Sequence, residues 1–156
     1  MTENIEKLPY TNARLLAIQT IYAQSLTGES WDKIMSRALL GELGGQVLEE
    51  QSDNYVTLEG ADSGLYTRIV KAYQEHHEDI ENTIKSGLSE KIAYDRLELT
   101  FLCILRAGMA EFLSDWNTDS PIIINEYVDI TQSFYSGTEI KIANGILDRF
   151  AKIIRE

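Results

Sequence analysis

IIINEYVDITQSFYSGTEIKIANGILDRF, residues 122–150, decides the fold. Ahead of it stands Asp119-Ser120-Pro121. A capping side chain followed by proline at the first helical position, where its missing N–H costs nothing, marks a helix start. That helix is expected to end near Phe134, with Asn125 and Glu126 in its first turn, where a carboxylate suits the helix dipole. After a turn, Thr138-Glu139 opens a second amphipathic helix. Ile142, Ala143, Ile146, Leu147, Phe150, Ile153 and Ile154 recur on its inward face at helical spacing. Gly145 in mid-helix reads as a site of close helix approach, since glycine there costs about 1 kcal/mol.

Outward from this pair, apolar residues keep a helical period and no alternating strand is found. A first helix is expected over residues 11–26, with Pro9 just before it and Gly28 stopping it. Leu15, Ile18, Ile21, Tyr22 and Leu26 share one arc, whereas Leu16 and Ala23 face the other way, which predicts burial on more than one side. A shorter helix starts near Ser30, with Trp31, Ile34, Met35 and Leu39 inward. The glycine-bearing stretch 41–60 reads either as a long loop or as a loop with one short helix. A third helix opens at Asp62 or Ser63, carries Leu65, Ile69, Val70 and Tyr73, and ends at Ser86-Gly87. Residues 94–113 form the most apolar helix, in which only Arg106 and Glu111 are charged beyond Phe101. The expected fold is all-α: a compact bundle of six or seven helices.

With 156 residues, 44% of them apolar, one domain with a real core is expected. One cysteine forms no internal disulfide, and no apolar stretch approaches the roughly 20 residues of a membrane span. The N-terminal residues lack the basic and apolar regions of a secretory signal, so the expected compartment is the cytoplasm. Fourteen basic residues against 25 acidic ones give a net charge of −11. Such a body repels phosphate backbones at long range and attracts basic proteins. Composition alone therefore points to a protein–protein module, and any nucleic-acid contact has to be local.

One local exception stands out. On a helical wheel Lys141, Arg149, Lys152 and Arg155 fall within an arc of roughly 120°, together with Asn144, Gly145 and Asp148. On periodicity alone a solvated face is the favoured reading; the clustering of four basic residues on one helix of so acidic a chain is what points to a binding surface. His76-His77 beside Glu75, Glu78 and Asp79 cannot converge on one metal ion from successive helical positions and reads as a polar helix end. Cys103 reads as a small buried hydrophobe. Glu111, in apolar surroundings, calls for a partner in Arg106 or on another helix. No phosphate loop, zinc spacing, nucleophile motif or acid–base pair is found, so neither an enzyme nor a cofactor is expected.

Four motifs carry a resemblance. ARLLAIQTIY, with Ala13, Arg14, Gln19 and Tyr22, matches a family's first helix. Leu105, Arg106, Glu111 and Phe112 match the end of its central helix. INEYVDIT from Ile124 and KIANGILD from Lys141, in order and at matching separation, match its last two helices. The chain thus resembles the NusB family of transcription antitermination factors. The resemblance implies a single helical domain over 1–156 made of two packed halves, about 1–86 and 87–156. It also implies a role in processive transcription of ribosomal RNA operons within the RNA polymerase antitermination complex. The implied partners are the ribosomal protein NusE and single-stranded boxA-type leader RNA. By position the implied RNA contacts are Arg14, Tyr22, Lys141 and Asn144, and the basic arc adds Arg149 and Lys152. An aromatic stacks on an unpaired base, cations meet phosphates, and an amide bonds a base edge. Tyr22 is equally well explained as core, and Asn144 as a packing residue.

The sequence also departs from the family. Tyr10-Thr11-Asn12 stands where an arginine cluster is usual, Gly137-Thr138-Glu139-Ile140 replaces an acidic, histidine-bearing turn, and Ile142 replaces an aromatic. These changes imply weakened direct RNA affinity and dependence on the basic partner. The alternative is an interaction module of the same fold that has lost RNA binding. NusB-like domains also precede ribosomal RNA methyltransferases; that reading needs a cofactor-binding domain after Glu156, without which the chain is expected to be inactive.

Overall fold

The computed structural model describes residues 2–41, 60–88, 92–114 and 117–155. Among these there are six α-helices and no strand: α1 (Thr2–Thr27), α2 (Trp31–Leu39), α3 (Ser63–Gly87), α4 (Leu99–Ser114), α5 (Ser120–Phe134) and α6 (Thr138–Arg155). A 3₁₀ turn, Tyr94–Arg96, precedes α4. Most of the stretch 41–60, left open in the sequence, lies outside the described residues. The chain forms two compact units, Met1–Val70 and Lys71–Glu156, with the boundary inside α3.

In the first unit α1 packs against α2. Pro9 lies inside α1, not ahead of it. Its missing N–H removes one helical bond, while its carbonyl accepts a 3.0 Å bond from the Asp62 amide just before α3. Gly28 ends α1 with φ of 68°, a left-handed conformation that glycine adopts without a Cβ penalty. Residues 12–14 and 16–21 of α1 are all buried, as a helix apolar on several sides requires, whereas Leu26 is exposed at its end. Ser30 caps α2 by accepting the Lys33 amide. The inward face of α2 is Ile34, Met35 and Ala38; Leu39, expected inside, is 52% exposed at the edge of that arc on the last residue. Asp62 is the cap of α3, its carboxylate accepting the Leu65 amide at 2.8 Å. Thr20 and Tyr66 share a buried 2.7 Å hydrogen bond that ties α1 to α3. Burial pushes the Tyr66 hydroxyl up to about 12, against a smaller opposing effect of Thr20.

In the second unit α4, α5 and α6 pack pairwise. Twelve of the 16 residues of α4 are buried, which makes it the central helix. It begins at Leu99, later than the sequence suggests, because Tyr94 is spent in the 3₁₀ turn, where its hydroxyl reaches Glu81 on α3. Glu81 is shared. Arg106 donates to it through Nε at 2.6 Å and Nη2 at 3.2 Å, and Tyr73 donates at 2.9 Å. Arg106 therefore pairs with Glu81, and Glu111 on the buried side of α4 accepts the Tyr127 hydroxyl of α5 at 2.8 Å. The backbone of α3 leaves helical geometry at His76, and His77 bonds the Gln74 carbonyl, so this pair is a polar bend with no metal-ligating cluster among the described residues.

Close approach falls at Gly108, not at Gly145. A Cβ on Gly108 would lie 2.9 Å from Leu147 Cδ2 and 3.3 Å from Tyr127 Cγ, whereas one on Gly145 would meet nothing within 4 Å. Pro121 stands in the first turn of α5, yet the Asp119 side chain makes no capping bond; its carbonyl accepts the amides of Ile122 and Ile123 instead. Because α5 starts at Ser120, Asn125 and Glu126 fall in its second turn. Along α6 the buried face is Ala143, Ile146, Leu147, Phe150 and Ala151, and Ile153, expected inside, is 66% exposed.

Two outcomes follow from this packing. Gly108→Ala gains helix propensity of about 1 kcal/mol but overpacks a closed crossing at 1–3 kcal/mol, so denaturant melts should show a net loss of roughly 1 kcal/mol. Burial opposes the charge on Glu81, but bonds from Arg106, Tyr94 and Tyr73 prevail and hold its carboxyl below the ordinary value of 4.5. A group depressed in the folded state stabilises above its unfolded pKa and loses that contribution as pH falls through the folded one. Stability measured by melting should therefore decline as pH drops below about 4.5. Glu81→Gln should be less stable at pH 7 and show a shallower acid decline.

Candidate nucleic-acid interface

Helix α6 owes its orientation to the apolar residues that it buries on α4 and α5, and this leaves the opposite face in solvent. Lys141, Asn144, Gly145, Arg149 and Lys152 are all exposed there. Lys141 and Arg149 have no ion-pair partner among the described residues. The Asn144 side chain likewise makes no hydrogen bond to a described residue, which leaves its amide available. Lys152 pairs with Asp148 one turn back at 3.1 Å, an exposed contact worth only about 0.3–0.5 kcal/mol and readily exchanged.

Arg155 leaves the arc that the wheel assigns to it. Its guanidinium turns inward, donating to the carbonyls of Thr118 and Phe112 and to the Ser120 hydroxyl, and lies 5.2 Å from the centre of the Phe112 ring. It thus satisfies a carbonyl of the last turn of α4, where helical partners run out, and fastens the end of α6. Of the four cations on that arc, Lys141, Arg149 and Lys152 stay exposed.

The first-helix candidates sit in the other unit and differ in exposure. Arg14 is only 6% exposed and already engaged within the protein; Tyr22 is half-buried. Gln19, from the same motif, is 2% exposed and its amide has no hydrogen-bond partner among the described residues.

Beside Lys141 lies a half-open groove of about 310 Å³. It runs between the end of α3 and the first half of α6, with Gly87, Leu88 and Ile92 on one side and Thr138, Ile142 and Ile146 on the other. Sequence reading did not find the first three, because nothing in their spacing links them to a helix some 50 residues further on.

The NusB family model matches residues 11–152. The chain belongs to the NusB family. Transcription antitermination protein NusB of Rhodospirillum rubrum is 32% identical over 153 residues, covering 92% of this chain and 83% of the relative. The protein of that name from Hyphomonas neptunium is 30% identical over 155 residues, covering 99% and 97%. Among solved structures, T. maritima NusB shares the fold with a TM-score of 0.65 at 24% identity, over 91% of this chain and 89% of that one. The crystal structure of the antitermination factors NusB and NusE in complex with dsRNA aligns with a TM-score of 0.63 at 23% identity, over 92% and 96%. No helix in the described residues is long and apolar enough to cross a membrane.

Substitution separates the free cations from the structural one. Lys141→Ala and Arg149→Ala should leave the unfolding free energy, measured by melting, within about 0.5 kcal/mol of the original, as exposed surface changes do. Arg155→Ala, which removes the donor to two part-buried carbonyls, should cost about 1 kcal/mol or more in the same melts.

Proposed function

We propose that the chain is a NusB-type antitermination factor that acts in the cytoplasm with the basic ribosomal protein NusE. Together they hold single-stranded boxA-type leader RNA and support processive transcription of ribosomal RNA operons within the RNA polymerase antitermination complex. The observation that carries this reading is the exposed face of α6. Lys141 and Arg149 stand there without ion-pair partners among the described residues, with Asn144 between them, on a chain of net charge −11. The family relation, and a structural neighbour in which NusB and NusE are in complex with dsRNA, support NusE and RNA as the partners. Lys141, Arg149 and Lys152 meet phosphates and Asn144 a base edge; Tyr22 supplies a stacking surface, and Arg14 acts from within the protein by supporting α1.

The charge balance gives the basic partner its part. Opposite charge speeds encounter with NusE. Once bound, a basic protein offsets the field that otherwise repels RNA.

Gel-shift titration of boxA-type RNA over a salt series, with and without NusE, tests this. Binding should be much tighter with NusE present. Replacing both Lys141 and Arg149 by Ala should flatten the salt slope by about 1.4, at roughly 0.7 per phosphate contact on a single strand. Equal affinity with and without NusE would reject the dependence.

A second reading rests on the burial of Arg14: a module that binds its protein partner and no longer touches RNA. Under it, Lys141→Glu and Arg149→Glu leave RNA retention by the ternary mixture unchanged.

A further inference from the structure

We infer that the bend in α3 at His76 is a hinge, held closed by Arg106 of α4, which grips both arms of the helix; the device is independent of the RNA-binding reading above. Residues 72–81, Ala-Tyr-Gln-Glu-His-His-Glu-Asp-Ile-Glu, contain no proline, glycine or serine. Sharp helix kinks nearly always fall at such residues, or where the hydrogen-bond ladder is interrupted. Here the backbone leaves helical geometry at His76, with φ of −119° and ψ of 19°. Local composition does not impose that bend.

Core packing does not impose it either. Ala72 and Tyr73 are buried ahead of the bend, and Ile80 and Ile84 past it. No residue from 74 to 79 is buried. On that stretch Glu75 stands one helical turn from both Glu78 and Asp79, a spacing at which like charges repel. Local opening begins in segments with few buried contacts. The His77 ring takes up the Gln74 carbonyl at 3.2 Å, an exposed bond that eases the break in the ladder.

The two arms are tied together across this stretch. Tyr73, ahead of the bend, donates its hydroxyl to Glu81, past it, at 2.9 Å. On a continuous helix, positions eight residues apart are separated by about 12 Å along the axis. Side chains also lean toward the helix N-terminus, which on a straight helix points Tyr73 away from Glu81. A bend that closes on this side lets them meet. Arg106 holds both: it donates to Glu81 at 2.6 and 3.2 Å, and its guanidinium lies 5.8 Å from the centre of the Tyr73 ring. The anchor is firm, because the Arg106 and Glu81 side chains are only 12% and 17% exposed and α4 is buried along most of its length. Charge-assisted bonds of this kind are the strong ones. The second arm ends at Gly87, where a Cβ would lie 3.4 Å from Ile146 Cγ1 of α6. The angle of the bend is thereby passed to the wall beside Lys141, and releasing Arg106 frees that arm to straighten.

Spin labels on Lys71→Cys and Ser86→Cys in the full chain, with Cys103→Ala to remove the native thiol, read the angle as a distance by pulsed dipolar spectroscopy. Both positions are exposed, one on each arm. With Glu81 and Tyr73 in place the labels should give one short distance. Glu81→Gln keeps the shape of the side chain and removes its charge. It should add a longer distance, toward the roughly 22 Å that a continuous helix sets between these positions. The population of that state should rise about tenfold or more, as loss of a charge-assisted bond implies. Tyr73→Phe removes only the hydroxyl between the arms and should raise it by a smaller factor, whereas His77→Ala should leave it where it was. A single unchanged distance in Glu81→Gln and Tyr73→Phe alike would overturn the hinge, and so would a change produced by His77→Ala alone. Should Glu81→Gln lose its near-UV circular dichroism, and with it the fold, Tyr73→Phe decides by the same measurement. Neither NusE nor RNA takes part, so the hinge and the RNA-binding reading stand or fall separately.

Discussion

Helix α6 is held where it is by a contact with no room in it. At Gly108 the backbone of α4 meets Leu147 of α6 and the Tyr127 ring of α5, and even a methyl group would intrude. Three helices therefore share one crossing, and Tyr127 is pinned there by its bond to the buried Glu111. Interiors are packed like crystals, so such a crossing permits little rotation of α6 about its own axis. Since α6 buries Ala143, Ile146, Leu147 and Phe150, its opposite face has to carry Lys141, Asn144 and Arg149 into solvent. The candidate interface is thus a consequence of the core.

A second constraint fixes the other wall of the groove. Glu81, beyond the bend at His76, is gripped by Arg106 of α4 and by the hydroxyls of Tyr73 and Tyr94. Gly87 follows less than two turns later, so the end of α3 is positioned by an ion pair and two phenols and not by apolar packing alone. Removing one member of a partly buried pair leaves the other desolvated and uncompensated, which is why the cluster acts as a unit.

The electrostatic design is one of contrast. The body is acidic, and its cations divide into two kinds. Arg106 and Arg155 are consumed internally, satisfying a carboxylate and a set of carbonyls. Lys141 and Arg149 are exposed and have no ion-pair partner among the described residues. Counting basic residues treats the two kinds alike, although a cation consumed inside the fold is not available to displace counterions from a phosphate chain.

Much of this was legible in the sequence. Helical periodicity, the proline at the start of α5, the glycine after α1 and the paired motifs INEYVDIT and KIANGILD are local or linear features, and local chemistry is enough to read them. They determined an all-helical chain, most of its helix ends, its family and the basic arc of α6. What they did not determine concerns pairs of residues far apart. Arg155 lies on the same wheel arc as Lys141, yet folds back onto the carbonyls of Phe112, in the last turn of α4, and Thr118, just ahead of α5. Arg106 and Glu111 sit five residues apart and choose different partners, Glu81 and Tyr127. Gly108 and Gly145 look alike in sequence, and only the neighbouring helices make one a crossing and the other an open space. A wheel records the direction in which a side chain leaves its own helix; tertiary packing alone decides what it meets there.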